Sequence, residues 1–355
     1  VNAIDVVQLP ADVHVDAVGE VRRARRRRGA TVTGAMAALA AALFVLTMMI
    51  GDYALSPLQV VASLLGLGDD PGADFVVTAL RLPVAAAALG AGLALGVAGA
   101  IFQRLLGNPL ASPDFVGVSS GASLFAVSMI LLGGGAGLVV SASALVGAVV
   151  TAVLVYVLAF RGAVSGYRFI LIGIGVQQLC TSIISYVIAR ADVYEAREAM
   201  TWLVGSVGRA GDTELTVLWV ALVVLVPLAL VLSRSLATLE LGDDAAKALG
   251  IRVERSRLVL LAVSVALTAV AVAVTGPLLF VALVAGPIAH RVLGPAASGG
   301  LFASGLVGAI VLLGADLVAQ NLLPTPLPAG VVTGLLGAPY LIWLLASVNR
   351  EGRGG

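Results

Sequence analysis

The feature that most limits what this chain can fold into is the repetition of apolar stretches about as long as a lipid bilayer is thick. A helix needs roughly 20 apolar residues to cross about 30 Å of hydrocarbon. Nine stretches reach or approach that length: residues 31–50, 84–102, 115–132, 138–160, 169–189, 215–232, 258–275, 301–317 and 329–348. A tenth, 278–289, is shorter and follows its neighbour after only Thr275, Gly276 and Pro277. Read as one helix, residues 258–289 would extend about 48 Å at 1.5 Å per residue, too long for one ordinary span and short for two. With 60% hydrophobic residues, 12% charged residues and a mean hydropathy of +1.07, the chain reads as an all-α polytopic membrane protein.

Charge decides the count. Arg22, Arg23, Arg25, Arg26, Arg27 and Arg28 directly precede the first span, and Arg350 and Arg353 follow the last. Basic residues favour the cytoplasmic side, so both ends are expected there and the number of crossings is even. Ten spans leave only Arg81, Arg190, Arg197 and Arg209 outside, of 21 basic residues. The first span is too long and begins too late for a cleaved signal. The expected organisation is a disordered, basic cytoplasmic tail over 1–30, a ten-helix membrane domain over 31–349, and a short cytoplasmic tail over 350–355. Within the spans, Gly92, Gly96 and Gly99 form a small-residue face of the kind that lets helix backbones approach closely.

Several function classes lose their signatures. The lone cysteine, Cys180, excludes an internal disulfide, and two histidines, His14 and His290, are too few for an HExxH metalloenzyme. The only lysine, Lys247, lies in "GDDAAKAL", which lacks the glycine and Ser/Thr frame of a phosphate-binding loop. No nucleotide, metal or catalytic site is therefore expected in this chain. Asp316, in "LLGADLVAQ", is the one acid well inside a span. It is either a packing or gating residue, with Gln320 one turn later, or the coupling acid of an ion-driven carrier.

One stretch stands apart from the lipid pattern. "LELGDDAAKALGIRVERSRL", from Leu239, places Glu240, Asp243, Asp244 and Lys247 on one side and Leu241, Ala245, Ala248 and Leu249 on the other, at helical period. Gly242 precedes two acids suited to a helix start, and Gly250 suits its end. Interfacial membrane helices prefer a basic polar face with large apolar residues opposite. The acids and small side chains here suit insertion into a protein groove on the cytoplasmic side, where an energy-supplying partner would act.

Four motifs carry a family resemblance: "LRLPVAAAALGAGLALGVAGAIFQRLLGNPLASPDFVGVSSGA" from Leu80, the stretch from Leu239, "GPLLFVALVAGPIAHR" from Gly276, and "GADLVAQNLLPTPLPAGVVTGLLGAPYLIWLL" from Gly314. Together they resemble the permease subunits of bacterial ATP-binding-cassette importers for iron-siderophore complexes and vitamin B12, over nearly all of the chain after residue 30. The wording is most similar to one member of a ferric-enterobactin-type permease pair. The resemblance implies a type II importer permease with ten spans. It also implies a sister permease as a heterodimer or a second copy, two ATPase subunits that hold ATP and Mg, and an extracytoplasmic binding protein that delivers the cargo.

By that resemblance Leu241, Gly242, Asp243, Asp244, Ala246, Lys247, Leu249 and Gly250 belong to a coupling helix seated in the ATPase. Asn108 and Leu110 match a cytoplasmic gate, although Pro109 also suits a plain turn. Gln177, Gln178, Thr181 and Ser182 line the translocation path or else bond between helices, and Arg81 meets acids on the binding protein. The chain departs from the family where Val84 and Gln320 replace arginines of some relatives. Gly286 and Pro287 stand before His290 and Arg291, where relatives place Pro-His, and a second gate near 165–167 matches poorly. The expected cargo is a ferric siderophore; cobalamin or haem is the alternative within the family.

Overall fold

The computed structural model describes residues 15–68, 70–160, 166–294 and 300–351. Long apolar sequences close their backbone hydrogen bonds internally as helices, as a bilayer demands, and no strand occurs among the described residues. In chain order the helices are α1 (Val15–Met49), α2 (Pro57–Leu64), α3 (Pro71–Phe75), α4 (Leu82–Leu106), α5 (Val118–Gly133), α6 (Leu138–Ala159) and α7 (Gly166–Arg190). They continue with α8 (Val193–Val204), α9 (Asp212–Leu239), α10 (Asp243–Ala248), α11 (Val253–Thr275), α12 (Val281–Leu293), α13 (Gly300–Asn321) and α14 (Ala329–Glu351). Seven of them are long and apolar enough to cross a membrane, and α5, α12 and α14 contribute shorter apolar segments.

Helices α4, α11 and α13 form the centre. Their apolar windows are 78%, 72% and 67% buried, against 17% for α1 and α9. The glycine face of α4 explains the density. A Cβ on Gly92 would lie 2.5 Å from the Gly308 carbonyl oxygen, one on Gly96 would overlap the Ser304 carbonyl, and one on Gly99 would overlap that of Ala282. The backbones of α12 and α13 thus rest directly on α4, the close approach that drives association where lipid gives no hydrophobic force between helices. Polar ties reinforce it: buried Ser264 donates to the Ala98 carbonyl at 2.9 Å, and the Gln103 amide donates to the Leu283 carbonyl at 2.8 Å.

The Gly276 break separates two helices. The chain passes through Pro277 and through Phe280, whose φ of 66° is the only left-handed non-glycine conformation among the described residues. Helix α12 then runs only 13 residues, about 20 Å. At the same end of the molecule, the Ser206 amide donates to the Thr275 carbonyl and the Gly330 amide to the Gly205 carbonyl, tying three connections together.

One sequence expectation requires correction, and two connections between spans prove to be folded. Residues 15–30 continue α1 as helix and are not a disordered tail, while residues 1–14 lie outside the described residues. The connection over residues 190–214 forms α8 and a short 3-10 turn at Val207–Arg209, because Val193, Ala196, Ala199, Trp202 and Leu203 recur at helical spacing and bury Ala199 and Trp202. The connection over 51–74 folds as α2 and α3, followed by a π-helical turn at Val76–Arg81.

Candidate coupling and translocation sites

The coupling stretch forms a short helix outside the bundle. Gly242 and Gly250 bracket α10 with φ of 97° and 83°, conformations that only glycine adopts without strain. Asp243 and Asp244 occupy its first turn and Lys247 its last, the order a helix dipole favours. Two ion pairs fix the unit to its neighbours. The Arg257 guanidinium, at the start of α11, lies 2.9 Å from the Asp243 carboxylate. At the other side, Arg104 of α4 holds Glu240 at the end of α9 through two contacts, 2.5 Å and 3.1 Å.

The exposed face consists of Leu241, at 66% exposure, and Leu249, at 65%, with Asp244, Ala245, Lys247 and Ala248. Ala246 is the exception. It is fully buried, and its carbonyl accepts from the Ile251 amide. Ala246 therefore belongs to the helix's own footing, unlike the partner contact expected from sequence: the seating of α10 against α9 and α11 turns Ala245 and Ala248 outward and Ala246 in.

The turn after α4 is built by its own polar groups. Gly107 ends the helix in the left-handed region, and the Asn108 amide donates back to the Gln103 carbonyl at 3.0 Å. The Asn108 side chain then accepts from the Leu110 amide at 2.9 Å, while its carbonyl accepts from Ala111. The turn reading is what the structure displays: Asn108 shapes the turn, which leaves Leu110 half-buried at one end of the bundle. The other expected gate, near 165–167, has its side chains outside the described residues.

Following this turn, Ser112 and Ser119 both donate to Asp114, Ser112 at 3.1 Å. Burial pushes the Asp114 carboxyl above its usual range, opposed by the Ser119 and Ser112 hydroxyls. A Gly-x-Ser-x-Gly spacing occurs here, at Gly117, Ser119 and Gly121. The hydrolase elbow requires a strand-to-helix turn and a histidine partner. Ser119 instead sits in the first turn of α5 after a 3-10 turn, buried, with its hydroxyl committed to Asp114.

Helix α7 packs through a stripe of Phe169, Val176, Cys180 and Ile184, all buried. The Phe169 ring lies 6.1 Å from that of Phe102 on α4. That stripe turns Gln178, Thr181, Ser182, Ser185 and Tyr186 outward, with Gln177 half-buried at the edge. The hydroxyls of Thr181, Ser182 and Ser185 donate to carbonyls one turn back, whereas among the described residues no hydrogen bond engages the Gln177 or Gln178 amides. Ser185 and Tyr186 extend the polar face beyond the four residues expected, and the 3.6-residue period from Gln178 was the available signal.

At the opposite end, Arg81 donates to the Met48 and Tyr53 carbonyls, each at 2.7 Å. Both terminal nitrogens are thus used inside the chain to brace the 51–74 connection. Beside it, the Tyr53 hydroxyl donates to Asp70 at 3.0 Å, and this bond, with the Gly72 and Ala73 amides, lowers the Asp70 carboxyl below its usual range. Asp316 is 1% exposed, and one of its oxygens has no hydrogen-bond partner. His290 is exposed at the end of α12, and the neighbouring Arg291 guanidinium stacks 4.5 Å from the Trp343 ring centre. No cluster of metal-ligating side chains occurs among the described residues.

Residues 39–347 match the FecCD transport family. The chain is 43% identical over 304 residues, 85% of this chain and 91% of the relative, to the ferric enterobactin transport system permease protein FepG of Escherichia coli. It is 36% identical to the Fe(3+)-citrate import system permease protein YfmE of Bacillus subtilis, covering 89% of this chain and 95% of that one. Among solved structures, an inward-facing metal-chelate type ABC transporter superposes with a TM-score of 0.78 at 27% identity, over 90% of this chain and 99% of that chain. The chain belongs to the FecCD transport family.

Proposed function

We propose that this chain is one half of the membrane channel of an ATP-driven importer that carries a ferric siderophore inward by alternating access. It would act in the bacterial cytoplasmic membrane with ten crossings, made by the seven long helices and the three shorter apolar ones. The observation that carries the reading is α10. A charged helix held outside an apolar bundle by ion pairs, with two leucines bare to solvent, has the form of a plug for a soluble partner. Two ATPase subunits on that side would bind ATP and Mg, which this chain has no motif to hold.

A sister permease would face α7. The Gln178, Thr181, Ser182 and Ser185 face is poorly suited to lipid and well suited to a water-filled path, with Gln177 at its rim. Asn108 and Leu110 form the gate at the α10 end of the bundle. Arg81 contributes positive charge to the binding-protein surface, from a position fixed by the Met48 and Tyr53 carbonyls. The relatives named for ferric enterobactin and ferric citrate support an iron chelate as cargo. Cobalamin or haem is the alternative cargo, and the buried, half-satisfied Asp316 keeps an ion-coupled carrier as the alternative class.

The test is uptake of radio-iron from a panel of ferric siderophores in a strain lacking this gene, restored with wild type or Leu249→Glu, with cobalamin as control cargo. Uptake from one siderophore class restored by wild type alone supports the reading. Iron uptake independent of the gene overturns the cargo, and uptake that persists when ATP is depleted but the proton gradient is kept overturns the class.

A further inference from the structure

The coupling helix and the gate turn are far apart in sequence, and among the described residues the Arg104–Glu240 ion pair joins the segments that lead into them. Glu240 is the last link between α9 and the α10 unit; two residues later Gly242 starts the coupling helix. Arg104 lies in the last turn of α4, and its carbonyl and that of Gln103 accept the amides of Gly107 and Asn108 that fold the gate turn. The geometry points to Arg104 as a positioning residue that transmits movement of the coupling helix to the Asn108–Leu110 gate through its paired contacts with Glu240. This inference rests on the importer reading given above.

Three observations support a transmitting role over a merely stabilising one. The side chains are 29% and 38% exposed, and a pair so open to solvent contributes little to stability. The contact is two-pronged, however, and a forked arginine–carboxylate pair fixes orientation as well as distance. Transmitting a displacement requires that property.

The gate turn also has little freedom to move independently of Arg104. Gln103 is anchored through its amide to the Leu283 carbonyl of α12, and a Cβ on Gly286 would overlap the Gln103 side chain. On the other side, Asp243 of α10 meets Arg257 of α11, which is 17% exposed and is also held by Glu254 of its own helix, so α10 is tied to α11 while its α9 end is held by Arg104. Displacement of α10 by a partner is therefore delivered to the end of α4.

The test uses the whole importer, permeases and ATPases with its binding protein, reconstituted in liposomes, measuring transported ferric siderophore and ATP hydrolysed in the same sample. Arg104→Gln and Glu240→Gln are expected to keep ATP hydrolysis within about twofold while transport per ATP falls about tenfold. The charge swap R104E/E240R should restore at least half of the ratio, as a coupled pair requires. Arg255→Gln, an exposed cation that makes no ion pair among the described residues, should leave the ratio unchanged.

Where a single variant fails to assemble, R104C/E240C in a Cys180→Ser background is bridged by a reducible bis-methanethiosulfonate linker, which joins each thiol as a mixed disulfide with loss of methanesulfinate and spans the gap left by the two long side chains. Transport per ATP should then be high when cross-linked and fall on reduction. An unchanged ratio in the single variants, a swap no better than either of them, or equal ratios in cross-linked and reduced protein would overturn the inference. Absence of ATP-dependent uptake by the wild type would instead remove the importer reading beneath it.

Discussion

On the importer reading proposed above, removing both exposed leucines that flank α10, by L241A/L249A, is expected to weaken the chain's hold on the ATPase by roughly two orders of magnitude. Complete burial of a leucine side chain is worth about 1.5–3 kcal/mol. About two thirds of each residue is open, 66% for Leu241 and 65% for Leu249. Covering that remainder gives about 1–2 kcal/mol apiece and about 2–4 kcal/mol for the pair. At 1.4 kcal/mol per tenfold this is about 30- to 700-fold in dissociation constant. The assay is surface capture of the detergent-purified permease pair and titration with the purified ATPase. Neither leucine supports the fold of this chain from its exposed position, so permease yield and melting should match wild type. A change under about twofold in affinity would refute the assignment of this face as the docking surface. Ala246→Arg is expected to behave differently. It forces a charged side chain into a fully buried site, so it should lower the melting temperature of the isolated permease before any partner is added.

Other positions give equally specific expectations. Gly96→Leu would drive a side chain into the Ser304 backbone and should abolish recovery of folded protein, while Gly96→Ala should destabilise it by about 1–3 kcal/mol, read as melting in detergent. Because the Asp114 carboxyl is raised by burial, the folded state favours its protonated form, and this contribution is lost as pH rises through the raised value. Asp114→Asn, able to accept from Ser119 and donate to Ser112, should therefore flatten the pH dependence of melting and be no less stable than wild type at pH 7. A lower melting temperature there would contradict this account. Asp316→Asn should leave ATP-driven uptake intact, since it changes only a buried side chain with an unpartnered oxygen; loss of a proton dependence on uptake would favour the carrier class.

Much of this architecture was legible because it is written in local chemistry. The length and placement of apolar runs indicated the long hydrophobic segments, since a bilayer imposes one length scale on helices that cross it, whereas the short segment after Gly276 was left open by length and was separated by charge placement and by its Gly-Pro break. The spacing of Gly92, Gly96 and Gly99 marked a packing face, which the structure places against Gly308, Ser304 and Ala282. The charged stretch after Leu239 announced a short capped helix, and Gly242 and Gly250 bracket it as their positive φ values require.

Tertiary structure alone decided which face of each element is claimed and by what. The outward leucines and inward Ala246 of α10 follow from how α9 and α11 hold that helix, and the period of a six-residue helix does not encode this. Arg81 reads in sequence as a free outer cation, yet its fork is taken by carbonyls 33 and 28 residues earlier. The Arg104–Glu240 pair joins residues 136 positions apart and has no local signature. Local periodicity fixes which residues share a face because it depends on one helix's own geometry. Partners across helices depend on how the backbones close on one another, and that is set by contacts between distant parts of the chain.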